Sequence, residues 1–386
     1  MMDVIYVDNN ATTRVAPEVI EEMLPYFGDL YGNPSSMHTF GGTVGRKVRE
    51  AREKVAHLIG ALPEEIVFTG CGTESDNTAI NAAIESNPGK KHIVATRVEH
   101  PAVKNLFEHL SKKGYRTTFI PVDHQGRLDI DALEKSLTDD TAIVSIMWAN
   151  NETGVMFPIE EITQRVRERG IVFHTDAVQA VQYLDCRVDR LGVDALSLSA
   201  HKFHGPKGVG IAFIRQGTKI ARFIHGGAQE ANQRAGTENV SGIVGLEAAL
   251  LEAANNRQKN FEHVSQLQKS LIDQVLRIDN VQLTGPLPGR HRVPHIASFV
   301  VSGVDGEALL LRLDSEGFAV SSGSACTSAS LDPSHVLLAI GVGEAASHGS
   351  IRVSLSSYNT QEEVDQFVVA FKKVIKEVRA LAPRLS

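Results

Sequence analysis

The clearest chemical feature of this sequence is a lysine that follows an apolar run. Residues 195–210 read A-L-S-L-S-A-H-K-F-H-G-P-K-G-V-G, so a predicted buried strand leads Ser199, His201 and Lys202 into a loop rich in glycine and proline. A lysine amine in this position can act as a covalent nucleophile, and the neighbouring hydroxyl and imidazole can bind an anion. These residue types suit an aldehyde cofactor that carries a phosphate, and the alternative is a surface lysine in an ordinary loop.

A second candidate anion site lies where another predicted strand meets a helix. Residues 66–80 read I-V-F-T-G-C-G-T-E-S-D-N-T-A-I, so two glycines follow the strand, and Thr73 or Ser75 can cap the helix. Backbone N–H groups at a helix start, together with a hydroxyl, bind anions well. The alternative is a capped helix without a ligand. Because Ser199 and His201 follow a separate strand, both sites could converge on one anion.

Three further side chains suit the ring of such a cofactor. Asp176, in V-F-H-T-D-A-V-Q, is expected at the end of a buried strand, where a carboxylate needs a partner. A pyridinium N–H would be such a partner, and the carboxylate would keep the ring protonated and electron-withdrawing. Gln179 could reach a ring hydroxyl, and His100 could stack on the ring or move protons near neutral pH. A helix cap at Asp176 and an ordinary loop histidine at His100 are the alternatives.

A cysteine and an arginine in the C-terminal third suit a sulfur-containing amino acid. Cys326 lies among small residues in V-S-S-G-S-A-C-T-S-A-S-L, which predicts a flexible loop with an exposed nucleophilic thiol. Arg352, in a predicted strand, can bind a carboxylate with both arms of its guanidinium group. A linker that contains a cysteine and an ordinary salt bridge are the alternatives. Cys71 and Cys186 fit better as small, partly buried residues.

Two other cofactor chemistries fit the sequence less well. His174, His201 and His204 near Asp176 could be metal ligands, but Lys202 between the histidines and the lack of a known metal motif argue against this. A nicotinamide site is not favoured, because no G-x-G-x-x-G follows the first predicted strand.

The elements that must position these residues alternate between strands and helices. Strands are predicted at 65–69, 92–96, 117–121, 142–148, 171–176, 195–199 and 209–214. This alternation predicts an α/β fold with a mostly parallel seven-stranded sheet, whose ligands lie at the carboxyl ends of the strands. A long helix from about 242 to 278 and strands at 296–301, 318–321 and 351–355 predict a smaller α/β domain. We expect an N-terminal segment packing on that domain, a large domain and a small domain with the Cys326 loop, at 1–25, 26–250 and 251–386.

The composition is that of an ordinary globular protein. The chain has 386 residues, of which 42% are apolar and 22% charged, and its net charge is −7. A mildly acidic protein binds nucleic acid and anionic membranes poorly. The N-terminus lacks the pattern of a secretory signal, and no apolar stretch is long enough for a membrane span. Three cysteines are too few for a disulfide framework, so we expect a cytoplasmic protein.

The ordered motifs of the chain resemble those of one enzyme family. They run from Y-V-D-N-N-A-T-T through C-G-T-E-S-D-N, M-W-A-N-N-E-T-G, H-T-D-A-V-Q, S-A-H-K-F-H-G-P-K-G and R-A-G-T-E-N to S-S-G-S-A-C-T-S and H-G-S-I-R-V-S-L. Nearly the whole chain resembles the cysteine desulfurases, which are pyridoxal-phosphate enzymes of fold type I in the class V aminotransferase superfamily. The long S-S-G-S-A-C-T-S loop resembles the group that includes NifS and IscS, and two other motifs are closer to NifS.

The resemblance implies a role for each candidate residue. Lys202 would hold pyridoxal 5′-phosphate covalently, and Lys202 or His100 would move the substrate proton. Cys326 would take the sulfur of L-cysteine, which leaves as L-alanine, and could transiently ligate an iron–sulfur cluster. Asn151 and Arg352 would hold the substrate carboxylate. The other cofactor contacts within the chain would be Gly72, Thr73, His100, Asn151, Asp176, Gln179, Ser199, Ala200 and His201. Thr237 would contact the cofactor of the other subunit in a homodimer.

Some functional questions stay open at the level of sequence. The family often has arginine within 230–233, where this chain has none, and Ser347 and Ser357 replace a usual alanine and arginine. A scaffold protein for iron–sulfur assembly is the expected sulfur acceptor, with nitrogenase cofactor assembly and tRNA thiolation as other destinations. A selenocysteine lyase or another class V lyase or aminotransferase is the alternative enzyme. A non-catalytic dimeric scaffold is disfavoured because Lys202 and Asp176 are present.

Overall fold

The computed structural model describes residues 4–218, 222–322 and 333–381. Its strands, numbered β1 to β12, are Ile5–Tyr6, Ile66–Thr69, His92–Thr96, Arg116–Ile120, Thr141–Ser145, Val172–Asp176, Ala195–Ser199, Gly210–Ile214, Val281–Leu283, Ile296–Val301, Phe318–Ala319 and Ser350–Ser354. Its α-helices, α1 to α12, are Pro17–Met23, Thr39–Ile59, Gly72–Ser86, Pro101–Lys112, Ile130–Ser136, Ile159–Arg167, Val188–Leu191, Val240–Val275, Gly306–Ser315, His335–Ala339, Glu344–Ser347 and Gln361–Leu381. Among the described residues, no helix has both the length and the apolar character needed to cross a bilayer.

Seven strands form the central sheet, in the order β2-β8-β7-β6-β5-β3-β4. Only β8 runs antiparallel to its neighbours β2 and β7, while the pairs from β7 through β6, β5 and β3 to β4 are parallel. The strands β3, β5, β7 and β8 are buried along their whole length, which is why they appear in the sequence as continuous apolar runs. The predicted mostly parallel seven-stranded α/β sheet is confirmed.

The C-terminal part has its own sheet and its own core. Strands β12-β10-β9 form an antiparallel sheet, and β1 pairs with β11 in parallel. The 36-residue helix α8 connects the two cores: Leu246 and Leu250 pack with the large sheet, whereas Leu267 and Leu271 pack with the small one. The N-terminal segment touches both, since β1 pairs with β11 and Val19 packs into the first core. The division at residues 25 and 250 stays a prediction.

The topology brings several loops to one edge of the large sheet. β6 ends at Asp176 and β7 at Ser199, so both deliver their last residue to the carboxyl edge. The loop after β2 enters α3 at Gly72, and the loop after β3 enters α4 through His100. From the small sheet, β12 contributes Arg352, which pairs with Ser298 of β10.

Candidate active site

A cavity of about 310 Å³ lies at this edge, between the large sheet and the small one. Ten of the predicted site residues line it: Gly72, Thr73, His100, Asn151, Asp176, Gln179, Ser199, His201, Lys202 and Arg352. They come from strand ends and loops that are far apart in sequence. The cavity therefore brings together the residues that are predicted to bind a phosphate, a cofactor ring and a substrate carboxylate.

Three predicted residues are not among those that line the cavity. Ala200 is fully buried next to it, and Thr237 is exposed elsewhere on this chain. The predicted role of Thr237 belongs to a second subunit and stays a prediction. Cys326 lies outside the described residues, so its role and its proposed cluster ligation stay predictions as well.

The phosphate end of the cavity combines a helix start with an unpaired hydroxyl. Helix α3 begins at Gly72, and the side chain of its N-cap residue, Cys71, makes no capping hydrogen bond. A Cβ at Gly72 would lie 2.9 Å from Cγ2 of Val178 and 3.3 Å from Cβ of Ser199, so only glycine fits this close approach. The buried Ser199 Oγ has no hydrogen-bond partner among the described residues. A phosphate group would satisfy both this hydroxyl and the helix N–H groups.

Lys202 is held at the centre of the cavity by backbone oxygens. It follows β7 in a short 3₁₀ turn, Ala200–Lys202, and its Nζ donates to the carbonyl oxygens of Asn10 at 2.5 Å and Ala11 at 2.8 Å. The N-terminal segment therefore orients the amine, although it is nearly two hundred residues away in sequence. Beside it, burial and the charges of Lys202 and Lys207 lower the pKa of His201 to about 4, so this imidazole is neutral at pH 7.

Asp176 is a buried carboxylate with an incomplete set of partners. It is 6% exposed and accepts a hydrogen bond from the N–H of Val178 at 2.9 Å. Burial raises its pKa to about 6, while the Val178 N–H and the charge of Lys202 act in the opposite direction. A cationic ring N–H in the cavity would favour the ionised form further. Asp176 therefore fits a pyridinium partner.

His100 is a neutral imidazole whose tautomer is fixed by the start of α4. Its Nδ1 accepts a hydrogen bond from the N–H of Ala102 at 3.1 Å. Burial, followed by the charges of Lys202, His335 and Arg352, lowers its pKa to about 4. Because Nδ1 is an acceptor, the neutral ring carries its proton on Nε2. As positioned, His100 can donate a hydrogen bond from Nε2 but cannot accept a proton there.

Arg352 and Asn151 form the end of the cavity that faces the small sheet. The buried guanidinium donates from Nη1 to the carbonyl oxygen of Asn151 at 3.0 Å, and its Nη2 lies 3.4 Å from Oδ1 of Asp8. Among the described residues, neither Nε of Arg352 nor Oδ1 of Asn151 has a hydrogen-bond partner. The predicted salt-bridge alternative is thus partly realised through Asp8, yet N–H donors remain that can bind a carboxylate.

Sequence reasoning missed several residues of the site. Asn10, Cys71 and Asp76 also line the cavity. His295, directly before β10, places Nε2 3.4 Å from Oε1 of Gln179 and stacks on Tyr183 with ring centroids 4.7 Å apart. Asn10 and Asp76 lie in motifs that were recognised, but nothing local indicates that they face this cavity.

Comparisons with known proteins point in one direction. The family model described as Aminotransferase class-V matches residues 5–367. A cysteine desulfurase of Trichormus azollae is 48% identical over 386 residues, covering 99% of this chain and 95% of that protein. A solved structure of a NifS-like protein has a TM-score of 0.91 at 39% identity, covering 97% of this chain and 100% of its own. A solved structure titled SspA in complex with cysteine has a TM-score of 0.81 at 33% identity, covering 92% of this chain and 99% of its own.

Proposed function

We propose that this protein, which belongs to the class-V aminotransferase family and within it to the cysteine desulfurases, takes sulfur from L-cysteine and leaves L-alanine. The cofactor is pyridoxal 5′-phosphate. The observation that carries this function is the single cavity that holds Lys202, Asp176, Ser199 and Arg352 together. In that order, these side chains match an amine-reactive aldehyde, a cationic ring, a phosphate and a substrate carboxylate.

The unpaired groups of the cavity define how the cofactor would be held. Ser199 Oγ and the N–H groups at the start of α3 would bind the phosphate, and Asp176 would bind the ring nitrogen. Gln179 would donate to the ring oxygen from an amide that His295 holds from the other side. When bound, pyridoxal phosphate supplies an aldehyde that bonds to amines and a ring that withdraws electrons from the attached substrate.

We propose that Lys202 rather than His100 carries out the proton transfer. Lys202 Nζ has rotatable donors and is held by two backbone oxygens, whose hydrogen bonds can be exchanged when the amine acts. The Nδ1 of His100 accepts from the backbone, and its Nε2 already carries a proton. His100 therefore serves better as a neutral ring beside the cofactor and a hydrogen-bond donor.

The substrate carboxylate would bind between Arg352 and Asn151. Arg352 lines the cavity, is buried, and has no hydrogen-bond partner for its Nε among the described residues, so a desolvated carboxylate there would be strongly bound. Asn151 contributes its side-chain amide and orients the guanidinium through its own carbonyl oxygen. A lysine at 352 could not reproduce this planar set of donors.

We propose that Cys326 reaches this carboxylate site. Ser321 pairs with Arg352 through an N–H donated by Arg352 at 2.7 Å and one donated by Ser321 at 3.3 Å. Cys326 follows five residues later, and five residues span at most about 18 Å. We propose that its thiolate forms an S–S bond with the substrate sulfur while the Cβ–S bond of the substrate breaks, so that Cys326 becomes a persulfide. The carbon fragment keeps the electron pair of the broken bond and takes up a proton at Cβ, which gives L-alanine. The thiolate is required because the thiol form is a weak nucleophile. A reducing cytoplasm would preserve this free thiol.

A homodimer would explain two features of the chain surface. Thr237 is exposed here although the family resemblance gives it a phosphate contact in the opposite subunit. Large apolar side chains are exposed within a short stretch of chain: Leu24, Phe27, Tyr31, Met37 and Phe40. Exposed apolar surface of this kind is typical of a protein interface. A scaffold protein as sulfur acceptor and a transient iron–sulfur cluster at Cys326 complete the proposal.

An absorption spectrum tests the proposed function directly. Purified protein mixed with pyridoxal phosphate should become yellow. L-Cysteine should then change the spectrum and release alanine, in step with sulfide when a thiol reductant is present to reduce the persulfide. A protein that stays colourless with excess cofactor, or that forms no alanine, would contradict the proposal. Rates measured side by side with L-cysteine and with selenocysteine distinguish a cysteine desulfurase from the alternative selenocysteine lyase, which no feature of the cavity favours.

A further inference from the structure

A buried polar network lies behind the ring end of the cavity, and the proposed function does not use it. Asp76, on α3, is 1% exposed and lines the cavity together with Asp176. Its Oδ1 lies 3.5 Å from Nε2 of His174. The same Nε2 is 2.9 Å from Oγ of Ser197, and Nδ1 of His174 is 2.8 Å from Oγ of Ser145. Two buried carboxyl groups thus lie at the wall of the cavity, with one buried imidazole next to Asp76.

The two carboxyl groups differ in how well their partners stabilise a negative charge. Asp176 accepts the N–H of Val178 and faces the charge of Lys202. Asp76 Oδ1 has no hydrogen-bond partner in the part of the chain that the structure describes. His174 gives Asp76 no cation, because burial lowers the pKa of this imidazole to about 3. Two adjacent buried carboxyls rarely both ionise, so the pair should retain one proton.

The surroundings of Asp76 place that proton on Asp76. Burial raises its pKa well above the usual range, and Asp176, Glu99 and Cys71 raise it further. Glu99, which follows β3, is itself held protonated, since burial raises its pKa to about 8. The hydroxyl of Ser197 acts in the opposite direction but carries no charge. The groups that act most strongly on the pKa of Asp76 therefore include no cation, although Lys202 lines the same cavity.

We propose that Asp76 is a positioning residue that holds the one proton of the Asp76–Asp176 pair and thereby leaves Asp176 ionised toward the ring nitrogen of the cofactor. The benefit to cofactor binding rests on the proposed function, whereas the protonation state of Asp76 in the apoprotein does not. With Asp76 neutral, no second negative charge pushes a proton onto Asp176. The carboxyl oxygens of Asp76 and the side chains of His174, Ser197 and Ser145 then form an uncharged support behind Asp176.

The first test uses the apoprotein and needs no cofactor. A carboxyl whose folded pKa exceeds its unfolded value of about 3.9 stabilises the fold at low pH and loses that contribution as pH rises. Asp76→Asn copies the neutral form and cannot titrate. The slope of unfolding free energy against pH, from urea titrations between pH 5 and 8, should therefore become less negative by about one proton. Thr78→Val, a buried change of equal size on the same helix, should keep the wild-type slope. An unchanged slope in Asp76→Asn would overturn the proposal.

A second measurement keeps the proposal testable if Asp76→Asn fails to fold. Carbon-13 NMR of aspartate-labelled apoprotein at pH 7 should show one carboxyl in the acid form, and Asp176→Asn should retain that signal. Loss of the signal in Asp176→Asn would assign the proton to Asp176 instead, and its absence in the wild type would refute a shared proton.

The Kd for pyridoxal phosphate tests the role of Asp76 separately from the proposed function. Asp76→Asn should raise the Kd for pyridoxal phosphate less than threefold, whereas Asp176→Asn should raise it tenfold or more. Equal losses in the two variants would mean that Asp76 supplies charge and would overturn the proposal. If wild-type apoprotein does not bind the cofactor at all, the proposed function fails while the pH slope still decides the state of Asp76.

Discussion

Removing the hydroxyl of Ser199 should have opposite effects on the apoprotein and on the cofactor complex. In the apoprotein this buried Oγ has no partner among the described residues, so its desolvation is uncompensated. Ser199→Ala should therefore leave the free energy of unfolding of the apoprotein unchanged or raise it by up to about 1 kcal/mol. A hydrogen bond to a charged phosphate contributes about 1.5–3 kcal/mol, so the Kd for pyridoxal phosphate should rise by roughly 10- to 150-fold.

Ser197 offers a matched control two residues earlier on the same face of β7. Its hydroxyl is already bonded to Nε2 of His174 at 2.9 Å. Ser197→Ala should therefore destabilise the apoprotein by about 1–3 kcal/mol, because it leaves a buried ring nitrogen without that partner. Its effect on the Kd for the cofactor should be much smaller than that of Ser199→Ala.

Urea unfolding of the apoproteins and fluorescence titration with pyridoxal phosphate measure both quantities. The reasoning is refuted if Ser199→Ala lowers apoprotein stability by more than about 1 kcal/mol, the scale of an ordinary hydrogen bond already satisfied inside the fold. An unchanged Kd in Ser199→Ala would equally remove this hydroxyl from the phosphate site.

Three further substitutions test the remaining assignments. Lys202→Ala should abolish covalent attachment of the cofactor after hydride reduction, as seen by intact mass, because no other amine replaces Nζ beside Asn10 and Ala11 among the described residues; a reduced adduct that persists at the site would disprove the role. Cys326→Ala should still bind the cofactor but form no alanine from L-cysteine, and undiminished alanine formation would exclude Cys326 as the sulfur acceptor. Arg352→Lys should raise KM for L-cysteine by roughly 10- to 150-fold, since a bidentate charged contact contributes about 1.5–3 kcal/mol; a KM within twofold of wild type would rule out the carboxylate contact.

The large sheet could be predicted because its strands are continuous apolar runs that end in chemically distinctive residues. Asp176 and Ser199 terminate β6 and β7, so the sequence locates both at the carboxyl edge. The short strands β1 and β9 could not be predicted, because two or three residues form a strand only when a distant partner is already in place. The observed β11 is also shorter than predicted, since only Phe318–Ala319 pairs with β1.

The parts of the site that escaped prediction depend on contacts between distant segments. The carbonyl oxygen of Asn10 that holds Lys202 is a backbone atom, so its residue type carries no signal. Asp8 and Arg352 meet only after β1 and β12 are assembled. His295 resembles any loop histidine until the fold places it against Gln179. The predicted role of Cys326 lies outside the described residues and still requires experiment.

Helix α8 braces the C-terminal sheet against the large one. Between Ala253 and Val264 no residue of the helix is buried, and this stretch crosses from one core to the other over about 15 Å at 1.5 Å per residue. It is held from the side, because Arg257 pairs with Asp185 at 3.3 Å and Nε2 of His263 lies 3.0 Å from the carbonyl oxygen of Asn359. A tilt of the C-terminal sheet, and of the guanidinium it carries, would have to break these contacts or bend the helix. The helix therefore favours a fixed distance between the carboxylate-binding group and the edge of the large sheet.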